Sequence, residues 1–449
     1  MSRLAPLAAY LVAAALAAAS LAAGPAPSRP QSGAKGPLAG LPSPPGPHVP
    51  KIEAMADDSW LVLSSPAPDP EWGTARGRAW TPRMPYAPDL RAALLCGCGR
   101  HGFVKPDGHY MDDLWAYDVN AHRWVCVYPG ANTRDLKLTL DAHGFEVNAA
   151  GEYVPVSYLS HGYCNQTYVA HLRRLMLIYT QCPWWSRALP QRWTWLDQQY
   201  EDVRTRTYGH AGPIIENPKH PLFYDVAEGR WERTWIEGDG PGDRRFEGVL
   251  EYVPSRRRAF YLYRGRVWFY DFDTEKWIAG DAEPVDVAYD SNGCFDTRRE
   301  RVYVAQREKF LAYDVGEDVW QRIRAPGQPD DLGNSASGTL TYDSAGDVVL
   351  WHQKEGRGIR IYDPKRNAWS DVSAPPQGPE VEWKYRQMHG FYDPELCVHF
   401  YFLAGDSAEN GLMLVYRYRR GPRSAARPGT VVRPFAATQQ NADFRSELR

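Results

Sequence analysis

Short apolar runs bounded by polar residues recur along this chain. Leu114-Trp115-Ala116-Tyr117, Phe310-Leu311-Ala312-Tyr313 and their counterparts each lead into Tyr-Asp, and a Trp stands six residues beyond the Asp. The copies are Tyr117-Asp118 to Trp124, Tyr224-Asp225 to Trp231, Tyr270-Asp271 to Trp277, Tyr313-Asp314 to Trp320 and Tyr362-Asp363 to Trp369. A short apolar run stopped by Asp and resumed on an aromatic predicts a strand, an Asp-capped tight turn and a second strand. Five copies in one chain form an internal repeat, which constrains the fold more than any single element does.

A second set of β-rich runs precedes the first, at Ala92–Cys96, Leu172–Tyr179, Ala259–Tyr263, Arg301–Val304, Val348–Trp351 and Cys397–Leu403. Four of these follow an aromatic that ends a still earlier run: Tyr252, Phe295, Tyr342 and Tyr392. Polar turns such as Ser255-Arg256-Arg257 lie between. Each unit therefore reads as four strands: a, turn, b, loop, c ending in Tyr-Asp, then d carrying Trp. Successive Trp residues of the later copies are 43–49 residues apart. Such units predict an all-β chain, a β-propeller of four-stranded antiparallel blades.

The count tests closure. After Trp369 come another a–b pair and a c-like strand, Gly411–Tyr418, in which Arg417 replaces the Asp and no Trp follows. The missing d strand is expected at the other end of the chain, from Asp57 to Leu63, with Trp60 as its Trp. An N-terminal strand completing the last blade gives six blades and removes two open edges. The 107 residues from Trp124 to Trp231 leave a seventh blade open, with Arg192-Trp193-Thr194-Trp195 as its d strand. No Tyr-Asp precedes that Trp, which favours an insertion.

The c–d half, with Tyr-Asp and a Trp six residues later, resembles the Kelch repeat, as in the galactose oxidase central domain and the sialic-acid epimerases. The resemblance spans residues 57–418. The family's double glycine after strand b is largely absent, and only Gly97 and Gly99 approach it, so the chain reads as a divergent Kelch-like propeller. Such a resemblance implies architecture, while chemistry sits in sites grafted onto the fold.

Outside the repeat, Arg3 followed by the Ala/Leu-rich run Leu7–Ala23 predicts a signal peptide over residues 1–23. The protein is then expected to be exported (secreted, periplasmic or extracellular), with no membrane insertion after cleavage. Residues 24–52 are Pro/Gly-rich and read as a linker, 53–420 as the propeller, and 421–449 as a tail. A formal net charge of -2 without a long basic block argues against nucleic acid as a partner. Seven cysteines allow up to three disulfides without specifying the pairing.

Candidate sites lie where the repeat breaks. In a propeller the d-to-a and b-to-c connections share one face, and that face usually binds. The longest b-to-c connection is the insertion 182–221, which holds Trp184, Trp185, Arg187, Arg192, Trp193 and Trp195. Flat aromatic faces and fork-shaped donors suit sugar rings or acidic ligands, although the same Trp residues also suit packing on the blade beneath. A second constellation is a polar residue followed by Gly at the start of strand a: His161-Gly162, Glu247-Gly248, Asn292-Gly293, Ser337-Gly338 and His389-Gly390. Arg83 stands near the corresponding place in blade one. These side chains are expected either to ring the channel mouth or, because propeller sheets are radial, to face the next blade, with Gly relieving crowding at the axis. They come from separate blades without local ligand spacing, so no metal or other cofactor is predicted. Copper-radical chemistry of the galactose oxidase type would need an adjacent Tyr-His pair, and His109-Tyr110 is reversed.

The favoured expectation is a binding module for extracellular carbohydrate or protein, acting through the insertion-bearing face. The rival is a carbohydrate-active enzyme of epimerase, mutarotase or oxidase type with its site at the channel mouth. No motif decides whether the chain is catalytic.

Overall fold

The computed structural model describes residues 36–97, 103–132, 138–143, 145–155, 161–178, 219–242, 248–287, 291–334, 338–354, 358–372, 374–376, 381 and 386–420. The chain enters the sheets through β1 (Ser59–Leu63) and then builds blade one from β2 (Tyr86–Ala87), β3 (Ala92–Cys96), β4 (Leu114–Asp118) and β5 (Arg123–Tyr128). A hairpin of β6 (Leu138–Leu140) and β7 (Glu146–Asn148) lies in the connection to blade two, which holds β8 (Gln166–Val169), β9 (Arg174–Leu177), β10 (Leu222–Asp225) and β11 (Arg230–Arg233). Blade three is β12 (Val249–Val253), β13 (Arg258–Tyr263), β14 (Arg266–Asp271) and β15 (Lys276–Ala279). Blade four is β16 (Asn292–Asp296), β17 (Arg301–Gln306), β18 (Lys309–Asp314) and β19 (Val319–Arg322). Blade five is β20 (Gly338–Asp343), β21 (Val348–Gln353), β22 (Gly358–Asp363) and β23 (Ala368–Asp371). Blade six joins β24 (Arg386–Asp393), β25 (Val398–Gly405) and β26 (Leu412–Arg417) to β1.

The fold is a six-bladed β-propeller, closed as expected by an N-terminal strand. β1 runs antiparallel to β26 from Ser59↔Arg417 to Leu63↔Met413. The region that left a seventh blade open contributes the β6–β7 hairpin, β8 and β9, and then residues 179–218, which lie outside the described residues.

The repeat motif builds its turns as its residue types require. In all five copies the Asp carboxylate accepts hydrogen bonds from the backbone N–H groups two and three residues on: Asn120 and Ala121, Ala227 and Glu228, Asp273 and Thr274, Gly316 and Glu317, and Lys365 and Arg366. The residue two before each Trp then takes a left-handed conformation: His122, Gly229, Glu275, Asp318 and Asn367. That reversal seats each Trp directly opposite the Tyr of its own motif. In blade six β1 supplies strand d from the other end of the chain, so strand c and strand d share no turn for an Asp to cap. Arg417 instead donates to the Ile52 carbonyl at 2.7 Å and anchors the N-terminal segment.

The core lies between the blades. Among the described residues, six large apolar clusters each join two neighbouring sheets, and together they go round the whole ring. The Trp residues fall in these seams; Trp124, for example, packs edge-on against Phe402 of blade six. Radial sheets thus bury both faces, which is why most strands read as nearly continuous apolar runs.

Residues 36–52, the described part of the expected linker, pack on the propeller. Leu38 is buried in the cluster between blades one and two, and Val49 and Ile52 in the cluster between blades six and one. The Gly46 N–H donates to the Asn120 carbonyl at 2.7 Å, and the Asn120 side chain donates to the Ser43 carbonyl at 2.7 Å. Leu38, Val49 and Ile52 supply apolar side chains that dock the segment, and the hydrogen bonds at Ser43 and Gly46 hold the stretch between them.

Candidate functional site

The innermost strands can be aligned by the residue pair that closes each a–b hairpin: Ala87↔Ala92, Val169↔Arg174, Val253↔Arg258, Asp296↔Arg301, Asp343↔Val348 and Asp393↔Val398. The preceding residue is aromatic in every blade: Tyr86, Tyr168, Tyr252, Phe295, Tyr342 and Tyr392. All six line one cavity of about 740 Å³ in the central channel. Turn residues such as Pro88, Pro254 and Pro394 also line it, so it opens at the a–b end. That is the end opposite the strand ends Leu177 and Leu222 of blade two.

Hydroxyl contacts to the a–b turns hold the collar in place. Tyr86 accepts from Arg91 at 2.7 Å, Tyr342 donates to Asp347 at 2.8 Å, and Tyr392 accepts from the Ala345 N–H at 3.2 Å. Tyr252 meets His171 at 2.6 Å and stacks on its ring. Tyr86 is in turn stacked on Phe391 at 5.6 Å. With four hydroxyls engaged at the turns and that of Tyr168 buried, the collar offers the cavity mainly apolar ring surface.

The inner end of the cavity is shut by a buried ion pair. Arg83 enters from blade one and its Nη1 donates to Glu251 Oε1 of blade three and, at 3.4 Å, to the Gly293 carbonyl of blade four. Its Nη2 donates to the carbonyls of Leu250, of Gln166 at 2.7 Å and of Cys164 at 3.2 Å. Both side chains are 11% exposed. Main-chain hydrogen bonds narrow the channel at the same level: Met84 N–H to the Gly390 carbonyl at 3.0 Å, and Leu250 N–H to the Cys164 carbonyl at 2.8 Å. Burial pushes the Glu251 carboxyl up against the opposing pull of Arg83, and pushes the thiols of Cys164 and Cys294 up as well. Cys164, Cys294 and Cys397 are free thiols.

The residues singled out before strand-a Gly divide three ways. Asn292 and His389 are buried and face neighbouring blades rather than the cavity. Asn292 donates to the Asn334 carbonyl at 2.9 Å and accepts from the Cys164 thiol at 3.5 Å. His389 Nδ1 donates to the Thr81 carbonyl at 2.5 Å while Nε2 accepts from the Arg78 N–H at 3.1 Å, and burial holds the ring neutral with its pKa down at about 3. His161 lies on the other side of the same segment, beside Trp80 and Tyr163. Glu247 and Ser337 lie outside the described residues, as do Trp184, Trp185, Arg187, Arg192, Trp193 and Trp195. Crowding at the axis explains the glycines: a Cβ on Gly293 would stand 2.1 Å from Val249, and one on Gly248 2.2 Å from Tyr261.

In the sequence Arg83 is marked only by its place near the start of strand a, and Glu251 by no motif. The available signal was a lone carboxylate in the otherwise apolar run Val249-Leu250-Glu251-Tyr252-Val253. Tyr252, Phe295, Tyr342 and Tyr392 were visible as strand ends, but not as members of one collar with Tyr86 and Tyr168. Among the described residues no three His, Cys, Asp or Glu side chains come together as a metal site would need, and no helix is long and apolar enough to cross a membrane.

No protein-family model matches the chain, and no curated protein matches it. Among solved structures it is similar to an auxiliary nutrient binding protein from Bacteroides thetaiotaomicron, at 12% identity and a TM-score of 0.43, over 80% of this chain and 76% of that one.

Proposed function

We propose that this protein is an exported, Kelch-like propeller that binds a small carbohydrate in the cavity at the a–b end of its channel. The observation that carries the reading is the collar of six aromatic side chains, one from each blade, around a cavity of about 740 Å³. Stacked rings remove the apolar faces of a sugar from water, and few polar groups are then needed to orient it. Among the described residues the cavity wall holds one carboxylate, Glu251, and it is tied to Arg83. This arrangement favours holding a ligand over turning one over.

The experiment is calorimetric titration of mono- and disaccharides against the wild type, Tyr252→Ala and Tyr392→Ala, with circular dichroism to confirm folding. Each truncation is expected to weaken binding about tenfold, the effect of losing roughly 1–1.5 kcal/mol of stacking. If both variants bind as the wild type does while Trp184→Ala or Trp193→Ala abolishes binding, the site belongs to the insertion-bearing face instead.

A further inference from the structure

We infer that the cavity selects ligands that donate hydrogen bonds and carry no negative charge, with Glu251 as the residue that selects. This rests on the cavity being the binding site, and it narrows the ligand to neutral sugars and amino sugars, excluding uronic and sialic acids, phosphates and other anions.

The two terminal nitrogens of the cation at the inner end of the cavity are already occupied. Both η nitrogens of Arg83 are engaged, by Glu251 and by the carbonyls of Gly293, Cys164, Gln166 and Leu250. Its Nε has no partner but is sealed off from the cavity, so a ligand carboxylate could recruit the guanidinium only by displacing buried main-chain carbonyls, which would be left without donors.

The anion is only half occupied. Glu251 takes Arg83 on Oε1, and among the described residues its Oε2 has no hydrogen-bond partner and is not among the sealed-off polar atoms. It stands on the cavity wall as an acceptor. The remaining polar groups at that depth supply little positive charge. Thr167 Oγ1 already accepts from the Tyr252 N–H at 3.2 Å, Thr341 Oγ1 meets His399 Nδ1 at 3.0 Å, and the Cys294 thiol is held protonated by burial. The groups that interact electrostatically with Glu251 are Arg83 and the two thiols of Cys164 and Cys294, while His171 lines the outer rim beside Tyr252. A hydroxyl or ammonium therefore finds a free acceptor in a poorly solvated site, whereas a second carboxylate meets like charge there.

The test is a matched series on one ring: glucosamine, glucose and glucuronate, with the galactose counterparts, titrated against the wild type and Glu251→Gln. The wild type is expected to bind amine and neutral sugar at least tenfold more tightly than the acid. Glu251→Gln is expected to shrink that preference by tenfold or more, since it removes the repulsion and leaves Arg83 in net excess. Should the glutamine variant fail to fold, the wild type titrated between pH 7 and 4 gives the same readout: protonating Glu251 should narrow the neutral-over-acid preference. Equal or tighter binding of the acid by the wild type overturns the inference while leaving the cavity as the site. Binding of none of the series overturns the cavity reading and the inference with it.

Discussion

Trp60 stands opposite Tyr416 across the β1–β26 pair, 356 positions away in the chain. The pairing reproduces what the other five blades build within a single turn. The Tyr416 hydroxyl donates to Asp58 Oδ1 at 2.7 Å, and Asp58, two residues before the Trp, is left-handed with φ 49°. Tyr362 makes the same contact to the left-handed Asn367 at 2.9 Å, and Tyr117 meets the left-handed His122 at 2.8 Å. The sixth motif is therefore complete in space although it is cut in sequence.

Because Trp60 closes the ring, Trp60→Ala is expected to destabilise the propeller as a whole, by roughly 2–4 kcal/mol. Trp124→Ala should cost more, because Trp124 is wholly buried while Trp60 is only partly so. Urea unfolding monitored by far-ultraviolet circular dichroism measures both. A Trp60→Ala protein with an unchanged midpoint would show that blade six does not depend on its N-terminal strand.

The left-handed position before each Trp can be probed in blade five. Asn367→Gly should cost about 1 kcal/mol, the value of one hydrogen bond offset by backbone relief. Asn367→Val should cost more, about 2 kcal/mol or above, since a β-branched residue resists positive φ. Equal midpoints for the two variants would contradict the assignment of strain to this residue.

The ion pair at the inner end of the cavity predicts strong non-additivity. Arg83→Met leaves Glu251 buried and unpaired and strips several carbonyls of their donor, which should cost about 3–5 kcal/mol. Adding Glu251→Leu removes the stranded charge and should recover part of that loss. A double-mutant cycle in urea gives the coupling directly. Additive losses would show that the two side chains act independently.

Acid sensitivity follows from the buried imidazoles. His389 is held at about 3 and His352 at about 3 by burial, and His122 at about 4, whereas an unfolded His titrates near about 6.5. With folded values below the unfolded one, the unfolded chain takes up protons first as pH falls. The stability from these neutral rings is therefore complete above about pH 6.5 and lost progressively as pH falls toward 3. His389→Gln keeps one donor and one acceptor for Thr81 and Arg78, so its unfolding midpoint should fall less steeply between pH 7 and 4.5 than that of the wild type. Parallel slopes would remove His389 from the acid response.

The sequence by itself determined the repeat, the four-strand unit, the Asp-capped turns, the six-blade count and the closure through Trp60. Each of these is written in residues a few positions apart, or in a copy that is visibly incomplete until the other end of the chain supplies it. It did not determine that Leu38, Val49 and Ile52 would dock residues 36–52, because a few apolar side chains in a Pro-rich stretch specify no partner. Period-two alternation correctly placed Asn292 and His389 on strands but could not say whether their radial faces look at the channel or at the next blade. The tertiary structure decided that, by setting Arg78, Thr81 and Asn334 against them. It also decided the cavity. Tyr86, Tyr168, Tyr252, Phe295, Tyr342 and Tyr392 are spread over some 300 residues, and only closing the ring gathers them around Arg83 and Glu251. Strand periodicity is local chemistry, whereas a channel wall is a product of closure.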